Sequence, residues 1–416
     1  ICRERCLTYR QLWEQSEQIA QKMLGDLQTK APILIYGNKN KEIIPVMVAA
    51  LKTGRAYVPV DVTFPVERLS RIQKITEAEM VFNFSHADLG ELSKDCLVIQ
   101  ENDYAEIIAD TVSGEVPEDQ WVQGEDNCYI LFTSGSTGDP KGVQITKNNI
   151  LNFVGWFSGY AAVPEGAAVL NQVSYSFDVS VIQLYIYLAS GATLFSIDKG
   201  MIEDFGELFH YLVESDISAW VSTPAFIEMC AVYNSFDSGL LPNLQKIILA
   251  GEVLTKKLTR ALWDKFPGVQ VINGYGPTEG TVLLTCCEIT EKMVEDMENE
   301  LPIGRILDGG ICWLEDSEHR PMEMESGKGE LVVCSDSISK GYFKNPEITE
   351  KHFYNSESGW AYRTGDMVYA IGKNIYYCGR IDFQIKLNGY RIELDDISAN
   401  LNKVPLVVNN VVLPVY

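Results

Sequence analysis

Segments with the character of β-strands alternate with helical segments through the first two thirds of this 416-residue chain. Residues 31–36 form an apolar β-type run, and residues 41–52 and 65–76 carry apolar side chains at helical spacing. The same alternation returns with a helix at 204–214 and a strand at 217–222. Further strands are predicted at 80–83, 246–250 and 269–273, and a further helix at 255–266. This repetition predicts parallel sheets covered by helices on both faces.

The character of the sequence changes near residue 301, where short β-type runs are separated by glycine-containing turns such as those at Gly327 and Gly341. That pattern predicts a small antiparallel, barrel-like subdomain. The predicted fold class is therefore α/β, with two parallel sheets and a small β subdomain. The predicted parts are α/β subdomains at about 1–130 and 131–300 and a β subdomain at about 301–381, which together form a core over 1–381.

Composition excludes several functions. A formal net charge of −23 lacks the basic surface that nucleic acids require, and no apolar run approaches the roughly 20 residues that span a bilayer. The ten cysteines show no CxxC pair, which is typical of reduced thiols in a cytoplasmic protein. The four histidines are far apart, so we expect neither a zinc site nor a Ser-His-Asp triad. Any site for an anionic nucleotide must be built locally from backbone donors and a few cations.

A loop rich in glycine and hydroxyl groups follows the apolar run 129–132 and is closed by Pro140 and Lys141. Glycines let the backbone turn its N–H groups inward, hydroxyls add donors and the lysine adds a positive charge, so the loop suits phosphate oxygens. It differs from the Walker loop because Pro140 stands where that motif has a glycine. The loop residues are Thr133, Ser134, Gly135, Ser136, Thr137 and Gly138.

The sequence TSGSTGDPKG at 133–142 resembles the phosphate loop of the adenylate-forming (ANL) superfamily: acyl-CoA synthetases, luciferases and adenylation domains of nonribosomal peptide synthetases. The resemblance continues in order along the chain, and 7–12 and 51–61 are similar to core motifs that we interpret as packing elements. It implies a ligase that uses ATP and Mg²⁺ to activate an amino acid. The aminoacyl group then passes to phosphopantetheine on a peptidyl carrier protein, in the same or a separate chain.

Three further motifs resemble the family's nucleotide site. NGYGPTE at 273–279 is similar to the adenine-binding turn, in which Tyr275 offers a stacking face, Thr278 a hydroxyl for the α-phosphate and Glu279 a carboxylate for Mg²⁺. YRTGD at 362–366 is similar to the ribose motif, and GRIDFQIKLNGYR at 379–391 to the hinge motif with Asp382 as pivot. The implied catalytic residues are Thr133, Lys141, Thr278 and Glu279. Besides the phosphate loop, the implied ATP contacts are Asn273, Gly274, Tyr275, Gly276, Pro277, Thr278, Asp366, Tyr377, Cys378, Gly379 and Arg380.

FDVSV at 177–181 separates the branches of the superfamily. By the resemblance, Asp178 binds the α-ammonium of an amino acid, an aspartate that acyl-CoA synthetases generally lack. The alternative role for Asp178 is a structural salt bridge. The implied side-chain pocket consists of Val179, Ile182, Val221, Ile248, Ala250, Gly274, Val282 and Leu283. None is charged or hydroxylated, and Ala250 and Gly274 are small where D-alanine ligases carry bulkier residues, so we expect a hydrophobic substrate larger than alanine.

Two alternatives stay open. Asn171–Gln172, 222–230, 251–254 and 383–387 resemble D-alanine–carrier protein ligases, and a non-catalytic relative that binds nucleotide and amino acid is the alternative of another class. Residues 382–416 are predicted to be the hinge and the beginning of a C-terminal lid, because the lid's PxxxxGK lysine motif does not occur before Tyr416. The chain also opens on Ile1 without a methionine. We therefore expect a fragment whose adenylation is weak.

Overall fold

The computed structural model describes residues 6–90, 92–110, 114–133, 140–381, 384–387, 390–401, 410 and 412–413. The predicted phosphate-loop residues 134–138 and the predicted hinge residue Asp382 lie outside the described residues. Across those described ranges, no helix combines the length and apolar character needed to cross a membrane. The described cysteines are all free thiols.

A mostly parallel sheet occupies the first part of the chain. Its strands are β1 (Ile33–Gly37), β2 (Tyr57–Asp61), β3 (Met80–Asn83), β4 (Leu97–Gln100), β5 (Asn127–Thr133) and β6 (Lys141–Thr146). Their order is β4-β3-β1-β2-β5-β6, and β6 pairs antiparallel with β5 while the other pairs are parallel. The accompanying helices are α1 (Tyr9–Asp26), α2 (Ile43–Lys52), α3 (Val66–Thr76), α4 (Leu92–Asp95) and α5 (Glu101–Ala109).

A second sheet continues the same architecture. Its strands are β7 (Ala168–Asn171), β8 (Thr193–Ser196), β9 (Ile217–Ser222), β10 (Lys246–Ala250), β11 (Gln270–Tyr275), β12 (Thr285–Glu288) and β13 (Arg305–Ile306). They are ordered β13-β12-β11-β10-β9-β7-β8, parallel from β8 to β11 and antiparallel at β12 and β13. Its helices are α6 (Lys147–Ala161), α7 (Lys199–Glu203), α8 (Phe205–Val213), α9 (Pro224–Ala231), α10 (Lys256–Lys265) and α11 (Glu291–Glu295).

Local sequence explains where these elements begin and end. The strands predicted at 80–83, 217–222 and 246–250 have the same bounds in the structure, and every residue in them is buried. Asp204 and Thr255 were predicted as the first residues of helices, and each instead caps its helix. The Asp204 carboxylate accepts from the backbone N–H groups of Gly206 and Glu207, so α8 begins one residue later.

The third sheet is antiparallel and contains β14 (Ile311–Glu315), β15 (Pro321–Met322), β16 (Gly329–Cys334), β17 (Phe353–Ser356), β18 (Gly359–Ile371) and β19 (Asn374–Arg380). Helix α12 (Pro346–His352) precedes β17, and a hairpin of β20 (Gln384–Leu387) and β21 (Tyr390–Glu393) leads into α13 (Leu394–Leu401). The predicted α/β class with a small β subdomain is confirmed. The boundaries near 130, 300 and 381 stay a prediction.

One continuous apolar core joins the three sheets. It takes in Ile35 of the first sheet, Val221 and Ile248 of the second and Tyr362 of the third. The opposite face of the second sheet buries Trp220 against its own helices. Because both α/β sheets pack into one core, their strand ends are held in a defined position relative to each other.

Candidate active site

A cavity of about 570 Å³ lies where strand ends from both α/β sheets meet. Asp61 and Thr133 end the parallel strands β2 and β5, and both line the cavity. Gln172, Thr223 and Gly251 directly follow β7, β9 and β10 and line it from the second sheet. In open α/β sheets ligands bind outside the carboxyl ends of the strands. This cavity is therefore the candidate site.

The predicted ribose aspartate lies in the cavity wall between two donors. Asp366 of β18 is in register with Arg380 of β19, whose Nη1 lies 2.9 Å from Asp366 Oδ1. The Tyr275 hydroxyl donates to Asp366 Oδ2 at 2.5 Å. Burial, followed by the negative charge of Asp366, raises the pKa of Tyr275, so the phenol keeps its proton and remains a donor. The Asp366 carboxylate is thus held in one orientation.

Neighbouring carboxylates brace the strand that carries Asp366. Glu330 Oε1 accepts from the Gly365 N–H at 2.9 Å, and the Arg363 Nε lies 2.7 Å from Glu315 Oε2. Burial raises the pKa of Glu330. Arg363 is therefore linked to β14 and Gly365 to β16, and these two contacts limit how far the neighbouring Asp366 can shift.

Thr133 and Lys141 stand opposite each other where β5 and β6 pair, at the two ends of the predicted phosphate loop. Thr133 Oγ1 is buried, lines the cavity wall and has no hydrogen-bond partner among the described residues. The Lys141 side chain is buried, and its Nζ lies 5.7 Å from the centroid of the Tyr342 ring. A buried hydroxyl without a partner is costly unless a ligand or water completes it. Thr133 therefore faces the cavity, whereas Lys141 does not line it and its role toward phosphate stays a prediction.

The turn after β11 forms the cavity floor and is tightly constrained. Gly276, Pro277 and Thr278 line the cavity. A Cβ on Gly276 would lie 2.6 Å from the Val282 carbonyl oxygen, so a larger residue does not fit there. Thr281 and Val282 have φ values of 54° and 73°, a left-handed conformation that is strained for β-branched residues. The Thr281 hydroxyl donates to the Ser337 carbonyl at 2.6 Å and helps hold this conformation.

We expect Gly276→Ala to destabilise the protein by about 2 kcal/mol or more and to weaken nucleotide binding, because the backbone of the turn must move. Denaturant unfolding and calorimetric titration with ATP measure the two effects. Gly155→Ala is the matched control, since no heavy atom lies within 4 Å of its added Cβ on helix α6. That control should stabilise by about 0.5–1 kcal/mol. If Gly276→Ala and Gly155→Ala have the same stability and the same affinity for ATP, the turn is not as tightly constrained as the structure indicates.

Glu279 is a buried carboxylate beside the cavity-lining Thr278. Its side chain accepts from the Tyr342 hydroxyl at 2.7 Å, and its carbonyl accepts from the Ser339 N–H at 2.8 Å. Mg²⁺ in nucleotide sites is commonly held by one or two carboxylates together with substrate phosphates. The donor chemistry of Glu279 fits that ion, although Glu279 itself does not line the cavity.

Other predicted ATP contacts do not line the cavity. The Asn273 side-chain amide donates to the Pro302 carbonyl at 2.8 Å, and the Tyr275 ring lies 6.3 Å from that of Tyr377. Cys378 is exposed. The predicted contacts that do not line the cavity are Asn273, Gly274, Tyr275, Tyr377, Cys378 and Gly379. Their roles toward ATP stay predictions, and the structure adds that Tyr275 supports Asp366.

The predicted amino-acid pocket is only partly open. Asp178, Val179 and Val282 line the cavity. The predicted residues packed in the core, each at most 1% exposed, are Ile182, Val221, Ile248, Ala250 and Leu283. The room predicted beside Gly274 is not there, because a Cβ on Gly274 would lie 2.9 Å from both methyl carbons of Leu283. The sequence pattern could not show that Leu283 turns into this space.

Asp178 lies in the turn before the π-helical segment Ile182–Tyr187. Its carbonyl accepts from the Val181 N–H at 2.8 Å, which fixes the turn. Nearby, burial and then the interactions with Tyr57 and with the Asp178 carboxylate raise the pKa of Tyr129. Gln172 Oε1 is buried without a hydrogen-bond partner among the described residues. This end of the cavity therefore presents acceptors, as a cationic group requires.

Several cavity residues were not assigned to the site from the sequence, although some belong to motifs noted above: Asp61, Arg68, Gln172, Phe226 and Met229. Asp61 belongs to the stretch 51–61 that we interpreted as packing, and Arg68 follows on the next helix. One signal was available: Asp61 and Gln172 are polar residues at or directly after the end of a parallel strand. Phe226 and Met229 carry no such signal.

The fold is α/β, and its cavity at the strand ends is the place where such folds bind ligands. The chain belongs to the AMP-binding enzyme family, whose model matches residues 1–343. The predicted superfamily is confirmed, and so is the predicted class of enzyme, a ligase that forms an acyl-adenylate.

Curated relatives and solved structures resemble nearly the whole chain. The D-alanine–D-alanyl carrier protein ligase of Bacillus licheniformis is 38% identical over 99% of this chain and 81% of the relative. The ligase of the same name from Listeria welshimeri is 37% identical over 98% of this chain and 80% of the relative.

Two solved structures share the fold. Holo-PA1221, a nonribosomal synthetase protein with adenylation and carrier domains, has a TM-score of 0.84 at 24% identity, covering 98% of this chain and 69% of that one. The Vibrio cholerae adenylation domain AlmE, in complex with glycyl-adenosine-5′-phosphate, has a TM-score of 0.80 at 21% identity, covering 98% and 80%.

Proposed function

We propose that this chain activates D-alanine with ATP and transfers it to the phosphopantetheine thiol of a carrier protein. The observation that favours a small substrate is the packing of Leu283 against Gly274, since Leu283 occupies the space in which the side chain of a larger amino acid would lie. Curated relatives named for D-alanine, 37–38% identical over almost the entire chain, support the same choice. They favour D-alanine over the larger hydrophobic amino acid expected from the sequence.

The nucleotide lies in the cavity with its ribose hydroxyls donating to Asp366. Thr278 at the cavity floor donates to the α-phosphate. Thr133 and Lys141 at the ends of the phosphate loop contact the phosphate oxygens, with residues 134–138 supplying further donors. Three observations support this placement: Asp366 and Thr278 line one cavity, the Thr133 hydroxyl is buried without a described partner, and Lys141 stands opposite Thr133.

Adenylation needs no general base, because an amino-acid carboxylate is already ionised at neutral pH. A carboxylate oxygen forms a bond with the α-phosphorus, and the bond from that phosphorus to the bridging oxygen breaks. Pyrophosphate leaves with the electron pair. Lys141 opposes the charge that develops on the phosphate oxygens. Glu279 would hold Mg²⁺, which when bound neutralises further phosphate charge.

In the second reaction the carrier's thiol sulfur forms a thioester bond with the acyl carbon, the bond to AMP breaks, and the thiol proton is released. We propose Asp382 as the pivot that exchanges the lid between the two reactions, since few residues absorb the dihedral change at a hinge. Asp178 binds the substrate's ammonium in both reactions. Val179 and Val282 contact its methyl group.

In an ATP–pyrophosphate exchange screen over the common L-amino acids and D-alanine, we expect D-alanine to give the highest kcat/KM. Leu283→Ala should shift the preference toward leucine-sized substrates by about ten- to a hundredfold, because each methylene that fills the new space contributes about 0.8 kcal/mol. Leu249→Ala is the matched control. It removes the same volume from the opposite face of the sheet and should change stability without changing preference.

If the wild type prefers leucine or phenylalanine, the D-alanine proposal is wrong and the larger hydrophobic substrate expected from the sequence is supported. Exchange with no amino acid, despite ATP binding, would favour the non-catalytic alternative. An unchanged preference in Leu283→Ala would contradict the role given to this side chain.

A further inference from the structure

Arg68 projects from helix α3 into the cavity wall, close to the start of the predicted phosphate loop. Its Nη2 donates to the carbonyl of Phe132 at 3.3 Å, and Phe132 directly precedes Thr133. The guanidinium carbon lies 4.3 Å from the centroid of the Phe64 ring. Stacking on an aromatic face orients the planar guanidinium. Arg68 is thus hydrogen-bonded to the residue that directly precedes Thr133, the first residue of the predicted phosphate loop.

The charges of the cavity wall make this arginine significant. The other cations among its described lining residues are Arg380 and Lys199. Arg380 lies 2.9 Å from Asp366, and Lys199 lies 3.7 Å from Glu203. The whole chain carries a net charge of −23, which repels a polyphosphate at long range. Among these three lining cations, Arg68 is the one whose hydrogen bond, to the Phe132 carbonyl, lies next to the predicted phosphate loop.

We propose that Arg68 binds the β- and γ-phosphates of ATP and stabilises pyrophosphate as it leaves. When the α-phosphorus loses its bridging oxygen, the electron pair stays on pyrophosphate, so negative charge grows on that group. A guanidinium forms paired hydrogen bonds with two phosphate oxygens and opposes that charge. The inference rests on the nucleotide site of the proposed function and is independent of which amino acid is activated.

Comparison of ATP with AMP tests this role, because AMP lacks the β- and γ-phosphates. We expect Arg68→Gln to weaken ATP and pyrophosphate binding by about ten- to a hundredfold in calorimetric titrations, while AMP binds as it does to the wild type. Arg71→Gln removes the same charge from the exposed face of the same helix and should leave all three affinities unchanged.

An equal loss of AMP and ATP binding in Arg68→Gln would overturn the proposal and assign the arginine a structural role. Unchanged ATP and pyrophosphate binding would overturn it as well. Should Arg68→Gln fail to fold, Arg68→Lys is the second variant, because it keeps the positive charge but lacks the planar guanidinium that forms paired hydrogen bonds. We then expect the affinities for ATP and pyrophosphate to fall several-fold while the affinity for AMP stays unchanged. Failure of the wild type to bind ATP or AMP would contradict the nucleotide site itself and would be distinguishable from both results.

Discussion

Replacing Asp178 by alanine is expected to lower amino-acid-dependent ATP–pyrophosphate exchange by more than about a hundredfold while ATP binding stays at the wild-type level. The substrate's ammonium would then lie in the cavity without its counter-charge, at a cost on the order of 3 kcal/mol or more. Asp178→Asn should behave similarly, because an amide keeps the shape of the side chain but not its charge. The exchange rate measures amino-acid activation, and calorimetric titration measures the affinity for ATP.

Glu203→Ala is the control for Asp178. Glu203 lines the same cavity, but its side chain is 67% exposed and lies near Lys199. Its loss should change exchange by less than about threefold. Wild-type exchange in Asp178→Ala would refute the ammonium-binding role and leave the structural salt bridge as the interpretation.

Asp366→Ala should weaken ATP binding by more than about tenfold and lower the free energy of unfolding by about 3 kcal/mol. The first effect follows from the loss of the proposed ribose hydrogen bonds. The second arises because Arg380, whose side chain is 10% exposed, loses its ion-pair partner, and the buried Tyr275 hydroxyl loses its acceptor. Amino-acid preference should not change.

Nucleotides without ribose hydroxyls separate these two effects. The wild type should prefer ATP to 2′,3′-dideoxy-ATP, and Asp366→Ala should bind the two nucleotides almost equally. Tyr275→Phe removes one of the two donors and keeps the carboxylate, so its preference for ATP should persist. If Asp366→Ala retains the full preference for ATP, the carboxylate does not bind the ribose.

Much of the secondary structure follows from local sequence. Strands such as β9 and β10 are short, fully buried and mostly apolar, so the local sequence predicted their limits. Helix α8 begins where Asp204 can accept backbone N–H groups, which is also a local property. The order of glycine, hydroxyl and lysine residues at 133–142 indicated a phosphate loop before any contact was known.

The space available in the predicted amino-acid pocket depends on tertiary packing. Ala250 and Gly274 looked like open positions because their own side chains are small, but Leu283 occupies the space beside Gly274. Leu283 comes from the turn after β11, whose path depends on the left-handed Thr281 and Val282. A list of pocket residues carries side-chain volumes without the directions in which those side chains point, so it overestimated the room.

The sequence by itself determined the family, the α/β architecture and the types of residue available to a nucleotide, since these depend on local patterns and motif order. Only the tertiary structure decided which of those residues share one cavity. Tyr275 meets Asp366 across 91 residues, and Arg68 meets Phe132 across 64. Such contacts arise because three sheets bury a common core and bring distant strand ends together, and no local property of the chain specifies that arrangement.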